Sequence, residues 1–302
     1  MTGTGIINKA ADVWPLVRAL APEGLGKSKA DFDARYKDGA NLDELHLRLR
    51  SQVMVRRLKA DVLKELPPKR RQVILLDVAD ATAILSAEHA ALSGARTAHE
   101  RLRAEVEALP HAEAVMRLRQ GRLLALSEIA KVRKETAMAK LPACIDHIKA
   151  VLGETGKVVC FAHHHDVLDG LAEAFGRSAV TLDGRSNQDD RQAAVDRFQR
   201  DPSCKLFIGG LRAAGLGLTL TAASNVVFCE LDWTPAMMMQ AEDRCHRIGQ
   251  HDSVLAQHLV IDGSIDAKMS QILIAKQAVM DAALDGGPRD AANADILEEL
   301  WK

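Results

Sequence analysis

The sequence predicts an α/β protein: a parallel sheet with helices on both faces, preceded by a mostly helical segment. Three observations predict it. Over residues 152–284 short apolar runs alternate with amphipathic helical stretches, the pattern of strand–helix crossovers in a sheet buried on both sides. Residues 79–151 are dominated by Ala, Leu, Glu, Arg and Lys, which are good helix formers. A chain of 302 residues that is 47% hydrophobic has the apolar content for a packed core.

The elements follow in order. In residues 1–78, Val13, Leu16, Val17 and Leu20 share one helical face. Ala21 to Ala40 is polar and reads as loop. Asn41 to Leu66 returns to helical patterning and stops at Pro67-Pro68. A basic cluster spans that boundary (Arg56, Arg57, Lys59, Lys64, Lys69, Arg70, Arg71), and Gln72 to Val78 reads as a strand. Residues 79–151 read as a helical protrusion or hairpin broken at Pro110 and Pro142.

Residues 152–284 carry five strand candidates: Val158 to Phe161, Ala179 to Leu182, Leu206 to Ile208, Val226 to Cys229 and Leu255 to Ile261. Helices are predicted near His165 to Phe175, Asp189 to Arg200 and Pro235 to Ile248, with a long one over Asp266 to Leu284. Asp285-Gly286-Gly287-Pro288 is a stop signal, so 285–302 reads as a tail.

Composition excludes several function classes. Forty basic and 41 acidic residues give a net charge of -1, so no global attraction to nucleic acid or membrane acts, although a local basic patch stays open. No run approaches the ~18 apolar residues of a membrane-spanning helix, and Met1 to Ala11 lacks a secretory pattern. The five cysteines are widely spaced and odd in number, which suits isolated thiols in a reducing cytoplasm. His163-His164-His165 is no metal tract, because adjacent side chains diverge at a strand end. Ala21 to Ser28, APEGLGKS, fits a permissive phosphate-loop pattern. It follows a helical stretch where a buried strand is required, so it reads as a surface loop.

Trp233 to Gln250, WTPAMMMQAEDRCHRIGQ, is the most informative stretch. Thr234-Pro235 is a helix start. Gln240, Arg244 and Arg247 then share one face at i, i+4 and i+7, opposite an apolar stripe of Met238, Ala241, Cys245 and Ile248. Two fixed guanidiniums can hold phosphate oxygens. The same residues also fit a solvated face with pairs such as Glu242 with His246. Gly215 and Gly217 allow close backbone approach to a ligand, and Thr219 and Thr221 offer hydroxyls to phosphate. Ser186 with Asp189 makes a capping box.

QAEDRCHRIGQ resembles motif six of superfamily 2 helicases in its Snf2 form. FIGGLRAAGLGLTLTAAS (207–224) resembles motif five and KVVCFAHHHDVLDGLAE (157–173) motif four. VMVRRLKADVLKELPPKRRQV (53–73) is similar to the segment leaving the first motor lobe, and TGTGIINKAADVWPLVRAL (2–20) to the end of motif three. The details FCELDW, LTLTAA and RRLKADVL are most similar to the HARP-type annealing-helicase branch and its bacterial and phage relatives. Gly5 and Gly210 depart from the family's usual Pro and Ser or Thr.

The resemblance implies a RecA-like helicase C-terminal lobe at 152–284 with a brace helix. A lobe-1 remnant and linker would occupy 1–78 and a helical protrusion 79–151. It implies that Arg244 and Arg247 act as arginine fingers with Gln240 coupling the lobes. Gly215, Gly217 and Asp243 would line the ATP interface, and Ser186, Arg212, Thr219 and Thr221 would touch double-stranded or forked DNA. ATP and magnesium are the implied cofactors. Because the phosphate loop and acidic motif are expected upstream of Met1, the reading is a C-terminal half. It would depend on a separate first-lobe ATPase protein that holds magnesium, and be inactive alone. The implied setting is the cytoplasm of a bacterial or phage-infected cell. A non-catalytic DNA-binding or motor-docking module is the alternative.

Overall fold

The computed structural model describes residues 10–21, 25–36, 40–55, 62–107, 109–214 and 217–274. Arg56, Arg57, Lys59, Gly5, Gly215, the part of the long helix beyond 274 and the tail 285–302 lie outside the described residues.

The strands are β1 (Lys69–Leu75), β2 (Val158–Ala162), β3 (Ala179–Leu182), β4 (Leu206–Gly210), β5 (Asn225–Phe228) and β6 (Val254–Val260). Among the described residues they form one parallel sheet in the order β1-β6-β5-β2-β4-β3. The central strands β2, β4 and β5 are buried along their whole length, which is why each reads as an unbroken apolar run.

β1 begins three residues before its expected start. Its first residues, Lys69-Arg70-Arg71, are charged, yet they pair with Val254, Leu255 and Ala256 of β6. At a sheet edge a strand keeps one side in water, so charges there cost little and blunt further pairing. The segment expected to be linker thus supplies an edge strand.

The helices before the sheet are α1 (Trp14–Leu20), α2 (Lys29–Tyr36) and α3 (Leu42–Gln52). They bury Val13, Val17, Leu25, Phe32, Tyr36, Leu42, Leu45 and Leu49 in a core of their own. α2 falls inside the stretch expected to be loop. Ser28 caps it, its hydroxyl accepting from the Asp31 N–H while Asp31 accepts from the Ser28 N–H, and Phe32 and Tyr36 anchor it. Two core aromatics suffice to hold a helix whose other residues are polar. APEGLGKS (21–28) therefore starts just after α1 and ends just before α2, and no strand precedes it among the described residues.

α4 (Ala81–Val106) and α5 (His111–Thr155) form the expected hairpin. Two expectations fail here. α5 does not break at Pro142 but runs through it. Leu141, Cys144, Ile148 and Val151 bury one helical face against the sheet, and that packing outweighs the lost backbone bond. The hairpin is also no free protrusion, because its base covers the sheet. Leu92, Ala95, Ala125 and Ile129 join the core on one face, and Ala137 to Val151 of α5 join the core on the other.

The remaining helices are α6 (His165–Phe175), α7 (Gln188–Arg200), α8 (Leu211–Ala214), α9 (Pro235–Glu242) and α10 (265–274). The N-cap of α7 is Asn187, whose side chain accepts from the Asp190 N–H. Ser186 instead accepts from the Asp183 N–H across the turn before it, so the expected Ser186–Asp189 capping box does not form. α9 ends at Glu242, six residues short of its expected end at Ile248. Beyond it the N–H groups of Arg244 and Cys245 bond three residues back, and Gly249 takes φ +97. The Gln250 amide donates to the carbonyls of Ala223 and Cys245, which holds the segment as a series of turns.

Candidate functional site

Parallel sheets place ligands beyond the carboxyl ends of their strands, where neighbouring crossovers part. Here the ends of β2, β3 and β4 open into a cavity of about 500 Å³, lined by Lys134, the three histidines, Asp183, Gly184, Gly210 and Arg212 among others. Each side chain is there for a local reason. The histidines follow β2 and lead into α6. Glu230, just past β5, accepts from the His163 and His164 N–H groups and from His164 Nδ1 at 2.5 Å, so the turn is pinned by a buried carboxylate. Burial pushes Glu230 up, but the His164 contacts outweigh it and keep it below the usual range. Burial draws His163 down, against the pull of Glu230.

Asp183 ends β3 in the same way. Burial raises it, and Arg185 outweighs burial, holding it low through Nε at 2.8 Å and NH2 at 2.5 Å. His165 Nδ1 lies 3.3 Å from the same carboxylate oxygen, Oδ2. Gly210 has a packing reason: a Cβ there would sit 3.3 Å from the Cβ of Asp183 and 3.6 Å from Leu168. A Ser or Thr would crowd the cavity wall. Arg212 is exposed and lines the cavity, while Ser186 stands on the turn beside it and accepts from the Asp183 N–H.

The second grouping is the turn segment after α9. Gln240, Arg244 and Arg247 do not share a helical face, because the helix stops between them. Arg244 is 6% exposed. Its Nε donates to the Gln240 carbonyl at 3.0 Å and its NH1 to the Leu218 carbonyl at 3.4 Å, and its own carbonyl accepts from the Leu220 N–H. Burial, with Arg247 close by, draws it below the usual guanidinium range. Arg247 is half-buried, and its NH1 reaches Thr219 Oγ1 at 3.3 Å. Gly217 takes φ +75 on the same loop, a conformation that favours glycine.

Thr221 faces the other way, accepting from the Gln199 amide at 3.3 Å. Asp243 is held by Lys69 Nζ at 3.0 Å. The structure therefore brings Arg247 and Thr219 into contact, with Gly217 two residues before Thr219 on the same loop, and sets Arg212 in the cavity wall with Ser186 on the adjoining turn. It sets Arg244 inside the fold, and Gly215 lies outside the described residues.

Sequence reading missed Lys134 in the cavity wall and Arg185 on Asp183. It also missed the buried Glu242, whose carboxylate is gripped by Lys69 and Arg71. Arg185 lies only two residues from Asp183, so that pair was legible locally; the Lys134 and Glu242 contacts join distant segments, and apart from the charges themselves no local signal points to them. Among the described residues, no group of three or more His, Cys, Asp or Glu side chains could hold a metal ion, and no helix is long and apolar enough to cross a membrane.

Two family models match the chain: the SNF2-related domain over residues 1–105 and the helicase conserved C-terminal domain over 139–249. Together they cover more than two thirds of it. The human DNA annealing helicase and endonuclease ZRANB3 is 34% identical over the whole chain, which spans 28% of that protein's length. The Sulfolobus solfataricus SWI2/SNF2 ATPase core domain aligns with 93% of this chain at 22% identity and a TM-score of 0.52, over 59% of its own length. The same core in complex with double-stranded DNA aligns with 92% of this chain at 22% identity and a TM-score of 0.50, over 61% of its length. At that identity the likeness concerns the fold.

These findings correct the expectation of a C-terminal half preceded by a mere fragment of the first lobe. The SNF2-related model takes in residues 1–105, so the chain carries sequence of both lobe families. The need for a separate first-lobe partner is withdrawn, and with it the inactivity expected of the chain alone. ATP- and magnesium-binding elements are to be sought in the SNF2-related part of this chain, and not in a second protein.

Proposed function

We propose that this chain, which matches the SNF2-related and helicase conserved C-terminal domain models, is a Snf2-type motor that acts in ATP-driven translocation on double-stranded DNA. The observation that carries this reading is Arg247. Its guanidinium stands half-buried on a turn beside Thr219 and Gly217, with a single long hydrogen bond among the described residues. It is poised to meet a phosphate.

The chain's own groups divide the work. Arg247 stabilises the charge that develops on a transferring phosphoryl group. Arg244 braces the loop that carries Thr219, through its contacts to Leu218 and Leu220. Gly217 keeps the loop backbone close to the nucleotide. ATP supplies the free energy when bound. Arg212, Ser186 and Lys134 meet DNA phosphates at the cavity by the strand ends, without reading sequence. The five free thiols are all buried, which suits work in a reducing cytoplasm.

DNA-stimulated ATP hydrolysis by the purified chain tests the reading. Arg247→Ala is expected to lower kcat by about 10³-fold or more while duplex binding stays within about threefold of wild type. Equal turnover in Arg247→Ala, or none in the wild type with duplex present, overturns it.

A further inference from the structure

The segment that carries Arg247 is tied to the sheet's edge strand by charge. Glu242, the last residue of α9, is fully buried. Arg71 grips it with two bonds, Nε to Oε1 at 2.6 Å and NH2 to Oε2 at 2.8 Å, and Lys69 Nζ sits 2.8 Å from Oε2. Lys69 also holds Asp243 at 3.0 Å. Just upstream, the Pro67 carbonyl lies 2.7 Å from His246 Nε2, and the Pro68 carbonyl accepts from the Val254 N–H. Four residues of one short stretch, Pro67, Pro68, Lys69 and Arg71, thus hold the chain on both sides of Arg247.

Glu242 is the pivot of this arrangement. Its side chain faces β1, and its carbonyl accepts from the Cys245 and His246 N–H groups, which begin the turn leading to Arg247. Burial pushes its carboxyl up, and Lys69 and Arg71 outweigh that and hold it ionised. A buried ion pair is a poor way to gain stability, since apolar residues of similar volume usually serve as well. What a two-pronged charged grip supplies is a fixed position.

We propose that Lys69 and Arg71 are positioning residues for Arg247, acting through Glu242, so that β1 sets where the arginine stands. This rests on the ATPase reading for its catalytic consequence but not for its structural one. Strain passed along β1 from residues 62–68 would reach the arginine turn directly, because the same strap holds both.

Two measurements on the full chain test this. In Arg71→Ala, amide hydrogen exchange over residues 243–250 is expected to quicken by about tenfold or more while β2 and β4 are unchanged. Lys69→Ala shows the same effect more weakly, and Arg71→Lys restores part of the protection. In DNA-stimulated hydrolysis, Arg71→Ala lowers kcat about tenfold with KM for ATP within about twofold, and adds nothing in an Arg247→Ala background. Unchanged exchange over 243–250, or a loss that adds fully to Arg247→Ala, overturns the proposal. If the wild type shows no turnover, the ATPase reading falls by itself, and the exchange result alone decides the clamp.

Discussion

Asp266 and Glu242 are both buried carboxylates gripped by two cations, but they serve different parts of the molecule. Asp266 takes Arg133 at 3.0 Å and Lys140 at 2.6 Å. Lys140 also donates to the Leu259 carbonyl and Arg133 to that of Leu231, and Arg133 stacks over Trp233. This cluster joins α5, β6 and α10, and both of its cations are nearly inaccessible to water. The Glu242 cluster lies at the sheet edge, where Lys69 and Arg71 side chains remain 17% and 31% exposed. The contrast teaches that the same chemistry locks the scaffold where it is sealed, and ties the arginine turn to the sheet edge where one side meets solvent.

The comparison is broken most easily at its sealed end. Removing the carboxylate in Asp266→Ala leaves two buried cations unpaired, so a loss of about 3–5 kcal/mol in unfolding free energy is expected. Urea titration measures it, and a loss of under about 1 kcal/mol would show the cluster is not sealed.

His258 sharpens the contrast through pH. Burial lowers its pKa from 6.5 to about 4, and neither ring nitrogen has a partner, so it folds as the neutral form. A group whose folded pKa is depressed leaves the unfolded chain binding more protons between the two values. Stability is therefore complete above pH 6.5 and falls as pH drops toward 4, by on the order of 3 kcal/mol. Asp266, held at about 2 by Lys140 and Arg133 against the raising effect of burial, adds its own loss only below pH 4. Denaturation at a series of pH values should show the first slope shrink in His258→Leu, leaving the share of His163, which burial also draws down. A slope unchanged there would assign it to another group.

The smallest effect belongs to the loop. Gly217→Ala forces a side chain into φ +75 and is expected to cost about 1 kcal/mol. A melt unchanged within error would mean that the loop relaxes freely.

The sheet was largely legible because β2, β4 and β5 are sealed on both faces and read as apolar runs. β1 was read late because its first residues are charged, as an edge strand permits. α2 was missed since only Phe32 and Tyr36 betray it, and the break assigned to Pro142 ignored the packing that carries α5 through. In the site, the family strings pointed to Arg247, Thr219 and Gly217, of which Arg247 and Thr219 are in contact. The face assigned to Gln240, Arg244 and Arg247 assumed a helix that stops at Glu242. The Glu242 clamp was out of reach, because Arg71 stands 171 residues from Glu242 and Lys69 174 residues from Asp243, and no periodicity links them.

The central claim is that Arg247 works on phosphate through its planar fork. The most direct measurement is kcat for DNA-stimulated ATP hydrolysis in Arg247→Lys, which keeps the charge and loses the fork. The account predicts a fall of about 10²-fold or more with the melting temperature unchanged. A wild-type rate in that variant would contradict it.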